Sequence, residues 1–252
     1  MSIFRKLRSL GRPKHPVWPQ FDAPLRPDVA FYAIGDIHGQ ARQLNDAIGG
    51  IKAMAAAPTI ICVGDYIDRG EQSAEVLRRL QDLTGAADMS VICLMGNHEQ
   101  MCLRFLDEPE KHGERWLRYG GLQTLASFRV GHDPNRNMTG MRDSLAEAMG
   151  EDLISWLRAL PLFWITGNVA VTHAGADPGH PISAQSARSL LWGHPDFTTV
   201  PRGDGMWVLH GHTIVDQPRF MPGVISIDTG AYAGGPLSVA SVSAETLVFS
   251  GF

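Results

Sequence analysis

The chain has 252 residues, 44% of them hydrophobic, and a formal net charge of −4. That length supplies one large domain or two small ones with a sizeable buried core, and the charge excludes the global basic field of a nucleic-acid binder. No apolar run approaches the roughly 20 residues that a bilayer span needs.

The first twenty residues carry Arg5, Lys6, Arg8, Arg12 and Lys14 with no acid, interrupted by Pro13, Pro16 and Pro19. They read as part of a basic, loosely ordered arm over residues 1–27, solvated rather than bound to an anionic partner. No apolar core follows these charges, so a secretory signal is not expected. The three cysteines, Cys62, Cys93 and Cys102, are too few and too odd for a disulfide framework; Cys62 and Cys93 lie in apolar runs and read as core residues of a cytoplasmic protein.

From residue 28 the pattern is that of one α/β domain. Apolar runs end in glycine plus a polar cluster at 29-VAFYAIGDIHG-39, 59-TIICVGDYIDRG-70 and 91-VICLMGNHE-99. Between the first two, Leu44, Ile48, Ile51 and Ala55 fall at helical spacing, weakened by Gly49 and Gly50. Between the second and third, Val76, Leu77, Leu80 and Leu83 form one apolar face behind Ser73, a candidate cap. This β-α-β-α-β order predicts a parallel sheet. A helical insertion is expected over about 100–160, ending in a helix over 142–160 before Pro161. Strands return at 168-NVAVTHAG-175, 206-MWVLHGHT-213 and 223-GVISIDTG-230, and the alternation in 237–252 predicts an antiparallel hairpin.

Functional groups in such folds gather where strands end. Here those ends carry Asp36, His38, Asp65, Asp68, Arg69, Asn97, His98, His173 and His212. Two aspartates, an asparagine and three histidines exceed the needs of one ion and suit two divalent cations bridged by a carboxylate. Mixed oxygen and nitrogen ligation without thiolate points to manganese first, with iron or zinc as alternatives. Two such ions are the usual clamp for in-line phosphoryl displacement.

The ordered set GDIHG (35–39), GDYIDRG (64–70), GNHE (96–99), HAG (173–175) and GHT (211–213) resembles the phosphoprotein phosphatase family of metallophosphoesterases. The likeness is strongest to its compact bacterial and phage Ser/Thr members and spans roughly residues 30–235. It implies a calcineurin-like metallophosphoesterase β-sandwich flanked by helices, with a dinuclear site at the strand ends. By that resemblance Asp36 and His38 hold the first metal, Asp65 bridges, and Asn97, His173 and His212 complete the second. A bridging water attacks phosphorus, His98 protonates the departing oxygen, Asp68 orients His98, and Arg69 grips phosphate. Expected partners are a phosphorylated protein or a small phosphoester.

One position departs from the pattern. Compact members place a second phosphate-gripping arginine in a Trp-x-Arg arrangement, whereas this chain reads 190-LLWGHPDF-197. His194 stands at that place, and Arg202 is the other candidate substitute. The leading substrate expectation is phosphoserine or phosphothreonine. The alternative is a dinucleoside polyphosphate, although enzymes of that kind typically read cysteine-rich after the DTG motif, and this chain reads 228-DTGAYAGG-235. A catalytically dead scaffold is the remote alternative, since no ligand or acid is missing. Glu99, His210 and Asp228 are expected to support the site, His112, His132 and His180 to lie in loops, and Trp116, Trp156 and Trp164 to pack.

Overall fold

Three short strands set the geometry of the site: β1 (Phe31–Ile34), followed by α1 (Ala41–Met54), then β2 (Thr59–Cys62), α2 (Ser73–Thr84) and β3 (Ser90–Cys93). The computed structural model describes residues 21–131 and 137–252. The basic arm expected at the N-terminus therefore falls almost entirely outside the described residues, as does His132. β1, β2 and β3 are parallel, with Ile34 opposite Cys62 and Cys62 opposite Cys93. This even register brings the three C-terminal ends to one edge.

Helices follow: α3 (Asn97–Asp107), α4 (Pro109–Trp116), a widened turn over 117–121, α5 (Leu122–Ser127), α6 (Met138–Met149) and α7 (Glu151–Arg158). The rest of the chain supplies β4 (Phe163–Thr166), β5 (Val169–Thr172), α8 (Ala187–Trp192), β6 (Trp207–His210), β7 (Arg219–Met221), β8 (Val224–Ser226), β9 (Ser238–Val242) and β10 (Leu247–Gly251). Two five-stranded sheets result, ordered β10-β9-β1-β2-β3 and β4-β5-β6-β8-β7.

The strands are apolar on both faces because both faces are covered. Phe31, Ala33, Ile61, Val63 and Leu94 meet Val169, Val171, Leu209 and Ile225 between the sheets. The alternate residues Ile34, Ile60 and Cys62 face Leu44, Ile48 and Ile51 of α1 and Val76, Leu77 and Leu80 of α2. On the far side of the second sheet, Ala170 and Val208 pack with Leu190 of α8 and with Phe197. The expected α/β sandwich with flanking helices is the observed fold, and all three cysteines are buried.

Three local readings are corrected. Ser73 does not cap α2; it is the first helical residue, and its hydroxyl accepts the Asp68 amide at 3.1 Å. The single helix expected over 142–160 is two, because Gly150 takes φ of 80° between α6 and α7, a left-handed value that glycine tolerates. His112 lies in α4 rather than a loop, beside Glu108.

Candidate metal centre

The strand ends carry the six predicted donors; His38, Asn97, His173 and His212 gather around Asp65, while Asp36 adjoins through the His212 amide. Asp36 and His38 follow β1, Asp65 follows β2, Asn97 opens α3 after β3, His173 follows β5, and His212 follows β6. Five of them are buried and His212 is half-buried. The two sheets close tightly there: a Cβ on Gly211 would land on the Asp36 carboxylate and lie 2.7 Å from Val63. His38, Asp65, Asp68, Arg69 and His212 all have positive φ, a strain that clusters at functional sites and persists only where the surroundings impose it.

Asp65 is the hub. Its Oδ2 lies 3.4 Å from His38 Nε2, and its Oδ1 lies 3.3 Å from His173 Nε2. Donor atoms of Asp65, His38 and His98 lie within 4.8 Å of one another, as do those of Asp65, His173 and His212. Burial works to raise Asp65, but His173, His98 and His38 outweigh it and keep the carboxylate ionised. Asp36 is pushed well up by burial, then by Asp228 and Asp65; both its oxygens accept the His212 amide, at 3.0 and 3.1 Å.

The imidazoles are held as ligands should be. His38 donates from Nδ1 to the Ile67 carbonyl at 2.7 Å, and His173 from Nδ1 to the Val63 carbonyl at 3.0 Å. A carbonyl can only accept, so each neutral ring turns the lone pair of Nε2 toward Asp65. Burial, against the opposing pull of Asp65, lowers His38 to about 3 and His212 to about 4, favouring the neutral form a cation needs. His38 Nε2 has no hydrogen-bond partner although it is buried. Asn97 Oδ1 meets His173 Nε2 at 2.8 Å and His212 Nδ1 at 3.0 Å. Against His173 this sets acceptor against acceptor, which is relieved by a cation between them or by turning the amide so that its nitrogen donates to both rings. The orphaned nitrogen and this acceptor pair fit divalent cations.

His98 stands beside the hub. Its Nδ1 donates to Asp68 Oδ2 at 2.7 Å, and its Nε2 lies 3.9 Å from Asp65 and 3.3 Å from the Arg69 guanidinium. Burial disfavours the charged ring, but Asp65 and Asp68 prevail and raise His98 above its ordinary value. The Arg69 guanidinium also lies 4.6 Å above the Tyr232 ring.

Supporting residues divide into those the sequence revealed and those it did not. Glu99 accepts the amides of Asp65, Tyr66 and Gly96 at 2.8, 2.8 and 3.0 Å, so it shapes the loop after β2. His210 donates to the Gly211 carbonyl and accepts from Ser226, which leaves no nitrogen for a metal. Asp228 accepts the Gly230 amide at 2.9 Å. Trp164 packs edge-on against Phe31. Trp116 was expected only to pack, but its indole N–H donates to both Asp68 oxygens at 3.0 and 3.2 Å. Thr124 donates to Asp68 at 2.6 Å and accepts its amide at 2.9 Å. A buried indole N–H needs a partner, which was the only signal for Trp116; Thr124, 56 residues from Asp68, carried none.

Neither candidate for the second phosphate grip stands free. Arg202 is buried and ion-paired with Asp204, and it donates to the carbonyls of Asp177 (3.0 Å) and His180 (2.9 Å). His194 lies 3.7 Å from Asp177 and accepts the Asp196 amide at 3.3 Å. Among the described residues neither forms a hydrogen bond or ion pair with the six predicted donors.

A strand-end centre of this composition on a helix-flanked sandwich defines a metallophosphoesterase. The calcineurin-like phosphoesterase family matches residues 29–216, and the chain belongs to that family. A symmetrical bis(5'-nucleosyl)-tetraphosphatase of Aromatoleum aromaticum (strain DSM 19018 / LMG 30748 / EbN1) is 32% identical over 76% of this chain, a match spanning 59% of the relative's length. An asymmetrical bis(5'-nucleosyl)-tetraphosphatase of Bacillus subtilis (strain 168) is 26% identical over 83% of this chain and 89% of its own. In fold, the chain is similar to a cold-active protein-tyrosine phosphatase of a psychrophile, Shewanella sp., with a TM-score of 0.64, 18% identity, and coverage of 96% of this chain and 86% of that one.

Proposed function

We propose that this chain is a metal-dependent hydrolase of dinucleoside polyphosphates. The gathering of His38, Asn97, His173 and His212 around Asp65, with Asp36 adjoining and His98 alongside, is the observation that carries the phosphoester reading. The likeness to tetraphosphatases of two kinds, one matched over nearly its whole length, favours the polyphosphate over the phosphoprotein substrate expected from the motifs. It outweighs the cysteine-free stretch after Asp228, which argued the other way.

Asp36, His38, Asp65, Asn97, His173 and His212 would hold two divalent cations, with Asp65 shared between them. When bound, such cations supply Lewis acidity for an attacking water and neutralise phosphate charge. The protein's own groups do the rest. Arg69, anchored over Tyr232, offers a planar fork to phosphate oxygens. His98, fixed through Nδ1 by Asp68, presents Nε2 to hand its proton to the departing oxygen. Trp116 and Thr124 hold Asp68, and through it the imidazole, at a fixed angle.

The test is a comparison of kcat/KM by the manganese-loaded protein on diadenosine tetraphosphate and on a phosphoserine peptide. The tetraphosphate is expected to be the preferred substrate, by a factor well above the ~100-fold that an apolar pocket alone provides. A preference for the peptide would overturn the reading.

A further inference from the structure

Beside the metal centre lies a cleft of about 500 Å³ lined by Gln100, Arg104, Arg115, Ala187, Arg188 and Trp192. Its polarity is one-sided: three guanidinium groups and no carboxylate. Among the described residues none of the three arginines forms an ion pair. The larger cleft, of about 780 Å³ and running from Glu71 to Arg129, mixes acids with bases and contains no residue of the centre.

The arginine cleft adjoins the centre through two aromatic rings. Trp192 lies edge-on to His212, with ring centroids 6.4 Å apart, and donates its indole N–H to Gln100 at 3.0 Å. Gln100 follows His98 by two positions on α3. The Arg115 guanidinium sits 5.0 Å over Trp192 and 5.8 Å over Tyr119, and Tyr119 lies 6.4 Å from His98. Arg115 thus stands between the aromatic neighbour of a metal-ligand candidate and that of the proton donor. A cleft lined by one sign of charge focuses its field on an oppositely charged ligand.

We infer that this cleft is the subsite for the non-reacting phosphates of the substrate, and that Arg104, Arg115 and Arg188 select a polyphosphate chain over a single phosphate. The inference rests on the function proposed above. Once one phosphorus occupies the metal centre, the remaining phosphates of a dinucleoside polyphosphate must leave along one side, and this side offers donors without competing acids. A monophosphate ester reaches none of them.

The test uses two readouts. Adenosine tetraphosphate is titrated calorimetrically into the metal-free chain, with the wild type and the Arg104→Ala, Arg115→Ala and Arg188→Ala variants compared. Each variant is expected to bind about tenfold more weakly, the loss typical of one charged hydrogen bond. In the manganese-loaded protein each should raise KM for diadenosine tetraphosphate far more than for nitrophenyl phosphate, with kcat changing less. Unaltered binding and KM, or equal losses on both substrates, would overturn the subsite. So would an acidic phosphopeptide that outcompetes adenosine tetraphosphate at the same arginines. If the protein hydrolyses no dinucleoside polyphosphate yet the variants still lose affinity, the proposed function fails, and the arginines remain a polyphosphate-binding cleft without the role of a substrate subsite. Turnover with variants that behave as wild type means the reverse.

Discussion

His98 and Asp68 form the pair whose roles separate most cleanly from metal binding. His98 lies close enough to Asp65 to be a fourth imidazole ligand, yet its Nδ1 is committed to Asp68. If it is the acid, His98→Asn keeps both metals and lowers kcat on a phosphoserine substrate by about 10²–10⁴-fold, the range of general acid catalysis. The loss should shrink on nitrophenyl phosphate, whose leaving oxygen needs little protonation. Loss of metal from His98→Asn, measured by elemental analysis, would make it a ligand instead. Arg202 calls for the opposite expectation. Its guanidinium holds Asp204 and two carbonyls, so Arg202→Ala should cost about 2 kcal/mol of stability by leaving buried groups unpaired. KM should stay where it is. A raised KM at unchanged denaturation midpoint would return Arg202 to the substrate.

At the scale of elements, the helices between β3 and β4 act on catalysis through Asp68. Trp116 at the end of α4 and Thr124 in α5 both bond its carboxylate. Trp116→Phe keeps the stacked contact with Phe105 but removes the N–H. It should therefore reproduce a mild form of the His98→Asn pattern: kcat down, metal content unchanged, and a larger deficit for the poorer leaving group. An equal deficit on all substrates would mean that Trp116 only packs. The parts of the fold that were legible share a physical cause. β1, β2 and β3 each run apolar and then break into glycine plus short polar groups, and α1 and α2 repeat at helical spacing. β7, three residues pairing only with β8, is too short to show alternation. α8 spans six residues, less than two turns. Gly150 divides α6 from α7 through a backbone angle that periodicity does not register. The donors were legible because each sits in a motif; Thr124 and the three cleft arginines were not, because their meaning lies in distance across the fold.

For the whole molecule, the cost of the site is a concentration of buried acids. Asp36, Asp65, Asp68, Glu99 and Asp228 are all buried near one another, and burial raises Asp36, and raises Glu99 to about 8 and Asp228 to about 6. Divalent cations relieve that repulsion, so metal binding should appear as stability. Manganese at about 100 times its dissociation constant adds about 2.7 kcal/mol, and chelation should lower the melting temperature correspondingly; a midpoint indifferent to chelator would contradict a cation-filled centre. The most direct measurement concerns Asp65, whose two oxygens face His38 on one side and His173 on the other. Metal content per chain and kcat should be determined together for the wild type and for Asp65→Asn. Two ions per wild-type chain are expected, and in the variant a fall in bound metal with turnover down by orders of magnitude. One ion in the wild type, or two ions and near-normal turnover in Asp65→Asn, would contradict the dinuclear centre.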